Sequence, residues 1–219
     1  MPGSIWALHR HQTEGAFRIV TTRVSRAGLL RRGVAGGGVL LVSGAAFSFA
    51  GSAAAAAVPD NDLSYLRLLI GAELLAADFQ AQALAGGKLG STSAALVKQM
   101  LADENAHYAG LADLLATAGQ TPATAGDIDF AYPKGTFDSE ASIMKLAGSL
   151  EDLSLGAYLG AVQNVQTAQL RLPIGQIAAN EAQHVSALAA ARGKPAIGRA
   201  FGPALPIAVV SAALDAYES

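Results

Sequence analysis

Two short segments of this chain carry a glutamate and a histidine three residues apart: Glu104-Asn105-Ala106-His107 and Glu181-Ala182-Gln183-His184. Both lie in apolar, alanine-rich runs that favour helices, and a helix places residues i and i+3 on one face. Apolar residues recur around each pair at spacings of three and four, so both pairs belong to the stripe that a helix buries. A buried carboxylate needs a positive partner. The pattern therefore predicts a cation between these helices.

Two further glutamates occupy apolar stripes at matching positions. Glu73 precedes Glu104 by 31 residues, and Glu151 precedes Glu181 by 30. The two halves of this region therefore read as one helix hairpin used twice. Apart from His9 and His11 near the N-terminus, the chain has no histidine outside the two glutamate-histidine segments.

Together these positions offer a mixed set of oxygen and nitrogen ligands: Glu73, Glu104, His107, Glu151, Glu181 and His184. Four carboxylates balance two divalent ions, and this donor set suits iron first and manganese next, although metal supply could also place zinc there. In this interpretation Glu104 and Glu181 bridge the ions, while Glu73 and Glu151 each bind one. Taken singly, such a glutamate is usually solvated and such a histidine is usually hydrogen-bonded core. The joint pattern favours a metal centre.

Three other side chains could assist such a centre. Tyr158 lies two turns beyond Glu151 on the same predicted face. It could donate a hydrogen bond to a ligand or take part in redox chemistry, and a packed core tyrosine is the alternative. Asp78 and Asp152 could orient a histidine, with a solvated position as the alternative for both.

Capping residues, glycines and prolines delimit the helices that must position these residues. The predicted helices run from about Asp62 to Leu84, from Ser91 or Ser93 to Gly119, from Asp138 or Ser139 to about Gln166, from Pro173 to Gly193, and from Ile207 to Tyr217. The connection 120–137 is long enough to cross a bundle instead of turning straight back.

Composition supports a helical core and excludes several functions. Of the 219 residues, 52% are hydrophobic and only 6% are aromatic, which is typical of an Ala- and Leu-rich bundle. Six arginines fall within residues 1–57, which leaves nine basic and 16 acidic residues in the remainder. An acidic remainder argues against nucleic-acid binding. Since cysteine is absent, disulfides, thiolate metal sites and cysteine catalysis are excluded.

The N-terminal segment has the pattern of an export signal. Arg31-Arg32 precedes an uncharged, Gly- and Ala-rich run from Gly33 to Pro59, which indicates a twin-arginine signal cleaved after Ala57. An uncleaved membrane anchor is the alternative, because the run is long enough to span a bilayer. Six glycines in the run disfavour that alternative. We therefore expect a periplasmic or extracellular protein that meets the membrane only through its leader during export.

The motif-bearing stretches resemble the ferritin-like superfamily, and within it the exported family that includes the plant desiccation-related proteins. They are Ala72-Glu73-Leu74-Leu75-Ala76-Ala77-Asp78-Phe79, Asp103-Glu104-Asn105-Ala106-His107, Leu150-Glu151-Asp152-Leu153-Ser154-Leu155-Gly156-Ala157-Tyr158-Leu159-Gly160 and Asn180-Glu181-Ala182-Gln183-His184. All six ligand positions of the family pattern are present. Gln80 departs from it, because an aromatic residue often follows the phenylalanine in this family. Many bacterial relatives carry a twin-arginine signal, which fits the leader.

The resemblance implies an all-α fold: a ferritin-like four-helix bundle with a long crossover between helices 2 and 3 and a short C-terminal helix. The predicted divisions are a leader (1–57), the bundle (58–192) and a C-terminal loop and helix packed on the bundle (193–219). The implied activities are Fe(II) oxidation and iron storage, peroxide removal and oxygen activation, with metal ions and O2 or peroxide as partners. A non-enzymatic, metal-stabilised stress or envelope scaffold protein is the alternative. A homodimer is compatible with either, and a storage shell is a third, weaker alternative.

Overall fold

The computed structural model describes residues 57–219. The predicted leader, with Arg31-Arg32 and the apolar run up to residue 56, lies outside these residues. The described part contains five helices: α1 (Asp60–Ala85), α2 (Ser91–Thr117), α3 (Glu140–Asn164), α4 (Ala168–Ala191) and α5 (Ile207–Asp215). The predicted all-α fold, a four-helix bundle with a short C-terminal helix, is confirmed.

A polar contact shows that α2 and α3 begin at the same end of the bundle. The Glu140 carboxylate, in the first turn of α3, accepts hydrogen bonds from the Gly90 backbone N–H (3.1 Å) and the Ser93 hydroxyl. A helix as long as α2 extends about 40 Å. Because α2 ends at the far side, the connection 118–139 must return along the bundle. This is the long crossover that the sequence predicts.

Asp62 ties the start of α1 to the turn between α3 and α4. Its carboxylate accepts the backbone N–H groups of Gln166 (2.9 Å) and Thr167 (2.7 Å), and its side chain is fully buried. The end of α3 therefore lies beside the start of α1, so these two helices are antiparallel. Asp62 lies in the first turn of α1, and its carboxylate satisfies backbone donors of another connection.

Helix α4 begins before the predicted start at Pro173. It starts at Ala168, and Pro173 lies inside it. The buried side chain of Leu170 draws the preceding turn onto the core. The carbonyl that Pro173 leaves without a helical donor belongs to Gln169, which is exposed, so water can satisfy it. Proline near a helix start is tolerated for this reason.

The core lies between α1 and α2, between α3 and α4, and between α1 and α3, and α5 packs against α1 and α3. Two glycines on α3 allow the segment before α5 to lie directly on the helix. Leu205 donates its backbone N–H to the Gly156 carbonyl (2.9 Å), and a Cβ atom at Gly160 would stand 2.1 Å from the Leu205 oxygen. Small residues at both positions are therefore required for this contact.

Helix α1 is long and apolar enough to cross a membrane by composition alone, but 56% of its most apolar window is buried inside the bundle. This is the behaviour of a central core helix. Glu73, the predicted ligand on α1, therefore starts from a well-packed helix.

Candidate metal centre

Each of the four long helices turns its glutamate into the bundle. Glu73 on α1, Glu104 on α2, Glu151 on α3 and Glu181 on α4 are all at most 1% exposed. Each one continues the apolar stripe that packs its helix against the others, so the burial of that stripe also buries the carboxylate. The two histidines lie one turn further along α2 and α4 and point to the same interior.

The imidazole of His107 points its Nδ1 atom at three carboxylates from three helices. Nδ1 lies 3.1 Å from Glu181 Oε1, 3.3 Å from Glu104 Oε2 and 3.4 Å from Glu73 Oε2. A single ring nitrogen has one N–H or one lone pair to offer, and hydrogen-bond geometry is met only with Glu104. The residues Glu73, Glu104, His107 and Glu181 are called the His107 position below.

The imidazole of His184 has an equivalent arrangement. Its Nδ1 lies 3.2 Å from Glu151 Oε2, 3.3 Å from Glu104 Oε1 and 3.9 Å from Glu181 Oε2. Its outer nitrogen, Nε2, lies 3.3 Å from Asp103 Oδ2. The residues Glu104, Glu151, Glu181 and His184 are called the His184 position.

Within each position, one donor atom from every residue lies within 4.8 Å of the others. Glu104 and Glu181 belong to both positions, whereas each histidine and each of the other two glutamates belongs to only one. The two imidazole rings are 6.1 Å apart. The structure therefore brings all six sequence-predicted residues together as two adjoining sets of donors with two shared carboxylates.

Two buried side chains brace the carboxylates from the opposite helix. Tyr158 on α3 donates its hydroxyl hydrogen to Glu73 on α1. Gln80 on α1 donates its Nε2 hydrogens to Glu104 Oε1 (3.1 Å) and Glu151 Oε1 (3.0 Å). Tyr158 is therefore a packed core residue that also holds a predicted ligand.

Burial and mutual repulsion raise the pKa values of three of the four carboxyl groups. Burial, followed by the charge of Glu104, raises the pKa of Glu73 to about 8. Burial raises the pKa of Glu181 to about 7, although contact with His107 partly opposes this. Burial also raises the pKa of Glu151 well above its ordinary value. These three groups retain protons well above the pH at which an exposed glutamate ionises.

Glu104 and the two histidines carry the compensating charges. Burial alone would raise the pKa of Glu104, but contacts with His107 and His184 outweigh burial and lower it. Burial alone would lower the histidine pKa values, but the surrounding carboxylates raise them, to about 12 for His107 and about 11 for His184. Protons on these groups occupy the place in the charge balance that two divalent cations would take.

Carboxylate oxygens that have no hydrogen-bond partner show whether the cluster suits metal ions. Among the described residues, Glu73 Oε2 and both oxygens of Glu181 are buried without a hydrogen-bond partner. Unpaired buried carboxylate oxygens are costly, and these three are aimed at the interior that both imidazole Nδ1 atoms face. The donor chemistry, charge and unused lone pairs therefore fit a pair of divalent cations.

Two candidate residues lie away from this cluster. Asp78 accepts hydrogen bonds from Tyr132 (2.7 Å) and Gln82 (2.8 Å), and Asp152 is exposed. Neither carboxylate orients a histidine in the described part of the chain. Asp103 has that contact instead, with His184.

Sequence reasoning missed Asp103 and Gln80 as members of the site, although both carry a detectable signal. Asp103 directly precedes the glutamate of the first motif. Gln80 follows Glu73 by seven residues, the same spacing that separates Tyr158 from Glu151. Two helical turns return a side chain to the same face, so the reasoning applied to Tyr158 also predicts an inward Gln80.

Comparison with known proteins agrees with this geometry. A model of the ferritin-like domain family matches residues 61–194, which include all six clustered donors. A search of curated proteins gave no match. Since the family model covers more than half of the chain, and the fold and buried carboxylate-histidine cluster accompany it, this protein belongs to the ferritin-like domain family.

Proposed function

We propose that this chain is an exported ferritin-like protein that binds two divalent metal ions, iron first and manganese next, and uses them in metal-oxygen redox chemistry. Fe(II) oxidation or peroxide removal are the plainest reactions. The observation that carries the proposal is the convergence of six buried donors from four helices, with Glu104 and Glu181 common to both positions. A structural polar core would not need three buried carboxylate oxygens without hydrogen-bond partners.

In this proposal Glu73 and His107 would hold one ion, Glu151 and His184 would hold the other, and Glu104 and Glu181 would serve both. When bound, such a pair supplies electrons to, or accepts electrons from, oxygen or peroxide. The chain itself fixes the ligands: Tyr158 restrains Glu73, Gln80 restrains Glu104 and Glu151, and Asp103 holds the outer nitrogen of His184. Such outer contacts orient ligands and strengthen their basicity.

The side chains at the edge of the cluster indicate how small molecules would reach it. The four glutamate side chains are at most 2% exposed, whereas His107 is 10% exposed and Asp103 is 29% exposed. The histidine side, between α2 and α4, is therefore the route that we propose for ions and for O2 or peroxide.

We also infer that the protein is exported by the twin-arginine route and falls within the exported family that includes the desiccation-related proteins. Arg31-Arg32 before a glycine-diluted apolar run supports this proposal. Export in the folded state would let the cluster bind its metals before crossing the membrane, where their identity could be controlled. The test is the location of the protein in cells, beside an Arg31→Lys/Arg32→Lys variant. Export of that variant at the parental level would contradict this route.

The first experiment measures metal content. The parent protein, purified from cells grown with iron and manganese, is compared with a Glu104→Ala/Glu181→Ala double variant. About two equivalents of metal in the parent and almost none in the variant are expected, because both shared ligands are lost. An Asp113→Ala variant, which changes an exposed carboxylate on the same helix as Glu104, controls for general loss of charge. A folded parent without metal would refute the proposal.

The reaction is tested separately from metal binding. Protein loaded with iron or manganese should oxidise Fe(II) or consume peroxide faster than the free ion does. The alternative function, a metal-stabilised stress or scaffold protein, is favoured by the position of the cluster, which joins all four long helices. That alternative predicts a higher melting temperature on metal binding without turnover.

A further inference from the structure

The two halves of the bundle place different hydrogen-bond donors at equivalent positions. Gln80 lies seven residues after Glu73 on α1, and Tyr158 lies seven residues after Glu151 on α3. Since α1 and α3 are antiparallel, each donor reaches the glutamate of the other helix: Tyr158 reaches Glu73, and Gln80 reaches Glu151. The two contacts form a reciprocal brace across the centre.

The brace is unequal, because the amide of Gln80 makes two contacts where the phenol of Tyr158 makes one. An amide nitrogen carries two hydrogens, and Nε2 of Gln80 donates one to Glu151 and the other to Glu104. Gln80 is 1% exposed, so water does not compete for these hydrogens. Gln80 thus holds two of the three carboxylates of the His184 position, and the Glu104 oxygen that it contacts, Oε1, is the one that faces His184 Nδ1 (3.3 Å). In the His107 position Tyr158 holds Glu73, and the Glu104 oxygen that faces His107, Oε2, has no hydrogen bond from Gln80.

The two positions also differ in the residue that stands behind the histidine. His184 has the carboxylate of Asp103 at its Nε2 atom. The residue that corresponds to Asp103 in the second half is Asn180, directly before Glu181, and an amide carries no charge. A carboxylate behind an imidazole fixes the ring and raises its basicity as a ligand. The His184 position therefore has both a better-fixed set of oxygens and a more strongly supported imidazole.

We propose that Gln80 is a positioning residue that preorganises the His184 position, so that this position binds the first metal ion and the His107 position binds the second. A free glutamate side chain loses considerable rotamer entropy when it is fixed, and Gln80 has already fixed two of them. Its amide is neutral, so it restrains the carboxylates without cancelling the negative charge that attracts a cation. A lysine or arginine at this place would restrain the carboxylates but would also cancel that charge.

This inference rests on the proposed binding of two metal ions, and Mn²⁺ alone is a suitable probe. The full-length, metal-stripped protein is titrated with Mn²⁺ while electron paramagnetic resonance counts the free ion. Two unequal binding steps are expected. A Gln80→Met variant keeps the length of the side chain but removes both donors, and should weaken the tighter step about 10- to 100-fold, the usual effect of losing an outer contact. Circular dichroism of each metal-free variant checks that it folds.

Four further variants identify the steps. His184→Ala should abolish the tighter step, and His107→Ala should retain it. Tyr158→Phe should weaken only the looser step, and it tests the assignment even if Gln80→Met does not fold. Gln82→Met is the matched control, because the Gln82 amide is exposed and, within residues 57–219, donates its hydrogen bond to Asp78 and to no member of the centre.

The outcomes separate the two proposals. If the parent protein binds no Mn²⁺, metal binding and the role of Gln80 both fail. If it binds two ions but Gln80→Met leaves both steps unchanged, or His107→Ala removes the tighter step, then the order of filling is wrong while metal binding stands. A Tyr158→Phe variant that weakens the tighter step would also overturn the inference.

Discussion

Replacing Glu181 by glutamine should have opposite effects on the metal-free and the metal-loaded protein. Glu181 is fully buried, and neither carboxylate oxygen has a hydrogen-bond partner among the described residues. Its pKa rises from 4.5 to about 7. Since a tenfold change in an acid constant corresponds to about 1.4 kcal/mol, ionising this group at pH 8 costs the folded protein about 3 kcal/mol.

The amide in a Glu181→Gln variant carries no charge, but it leaves a buried polar group imperfectly paired, at a cost of about 1–3 kcal/mol. The expected net gain for the metal-free protein at pH 8 is therefore between zero and about 2 kcal/mol. For a chain of this size the melting temperature should rise by up to about 8 °C.

The pH dependence gives the sign of this effect independently. A carboxyl group with a raised pKa is protonated in the folded protein and ionised in the unfolded chain between pH 4.5 and about 7. The folded state then binds more protons, so its stability decreases as pH rises through this window. Glu181→Gln should accordingly give no gain in stability at pH 5 and its full gain near pH 8.

Bound metal should make the parent protein more stable than the Glu181→Gln variant. At an ion concentration of about 100 times Kd, binding stabilises the parent by about 2.7 kcal/mol, whereas the variant has lost a shared ligand. Thermal melting at 222 nm, with chelator and with excess Mn²⁺, measures both effects. Asp152→Asn is the control, because it removes an exposed charge beside Glu151 and should change neither melting temperature. Two results would refute this reasoning: a Glu181→Gln variant that melts below the parent in chelator at pH 8, or one whose melting temperature rises with Mn²⁺ as much as that of the parent.

Three further predictions concern protons and packing. Binding of two ions at pH 7 should release about four protons per protein, because both histidines and most of the raised carboxyl groups must deprotonate; a pH indicator measures this, and release of fewer than two would contradict the charge balance described here. Gly160→Ala should lower the free energy of unfolding, measured in urea, by about 1–3 kcal/mol, since its Cβ would meet the Leu205 carbonyl. Gly175→Ala is the control: its Cβ has an ordinary 4.0 Å contact, so this variant should be neutral or slightly stabilised. Asp62→Ala should cost about 2–4 kcal/mol, because it leaves two backbone N–H groups without a partner, while Ala at the exposed Asp60 should cost less than about 0.5 kcal/mol.

Helix boundaries show where local sequence information is sufficient. The helices α2 and α5 start at predicted residues because glycine or proline precedes each of them. Helix α4 does not, because Leu170 gains more from burial than the chain loses at Pro173. The cost of placing Pro173 inside a helix depends on whether the Gln169 carbonyl is exposed to water. That exposure is known only from the folded protein.

The metal centre also has features that the sequence predicts and features that only the packing of the helices determines. Spacings of three, four and seven residues determine that each glutamate, each histidine and Tyr158 share the buried face of their own helices, because the period of an α-helix is fixed by its backbone. The same period places Gln80 inward, yet it does not say which carboxylates its amide meets. The bundle decides that Gln80 contacts Glu104 and Glu151.

By itself, the sequence determined the four-helix pattern, the six inward-facing donors and their charge balance, since all of these follow from residue types and from the spacing of residues along single helices. Only the tertiary structure decided that Asp103 supports His184, that Asp78 does not approach a histidine and that Gln80 braces one position more firmly than the other. These contacts join residues 24 to 81 positions apart. Their existence depends on the direction and register of helices packed across the bundle, which no spacing along the chain specifies.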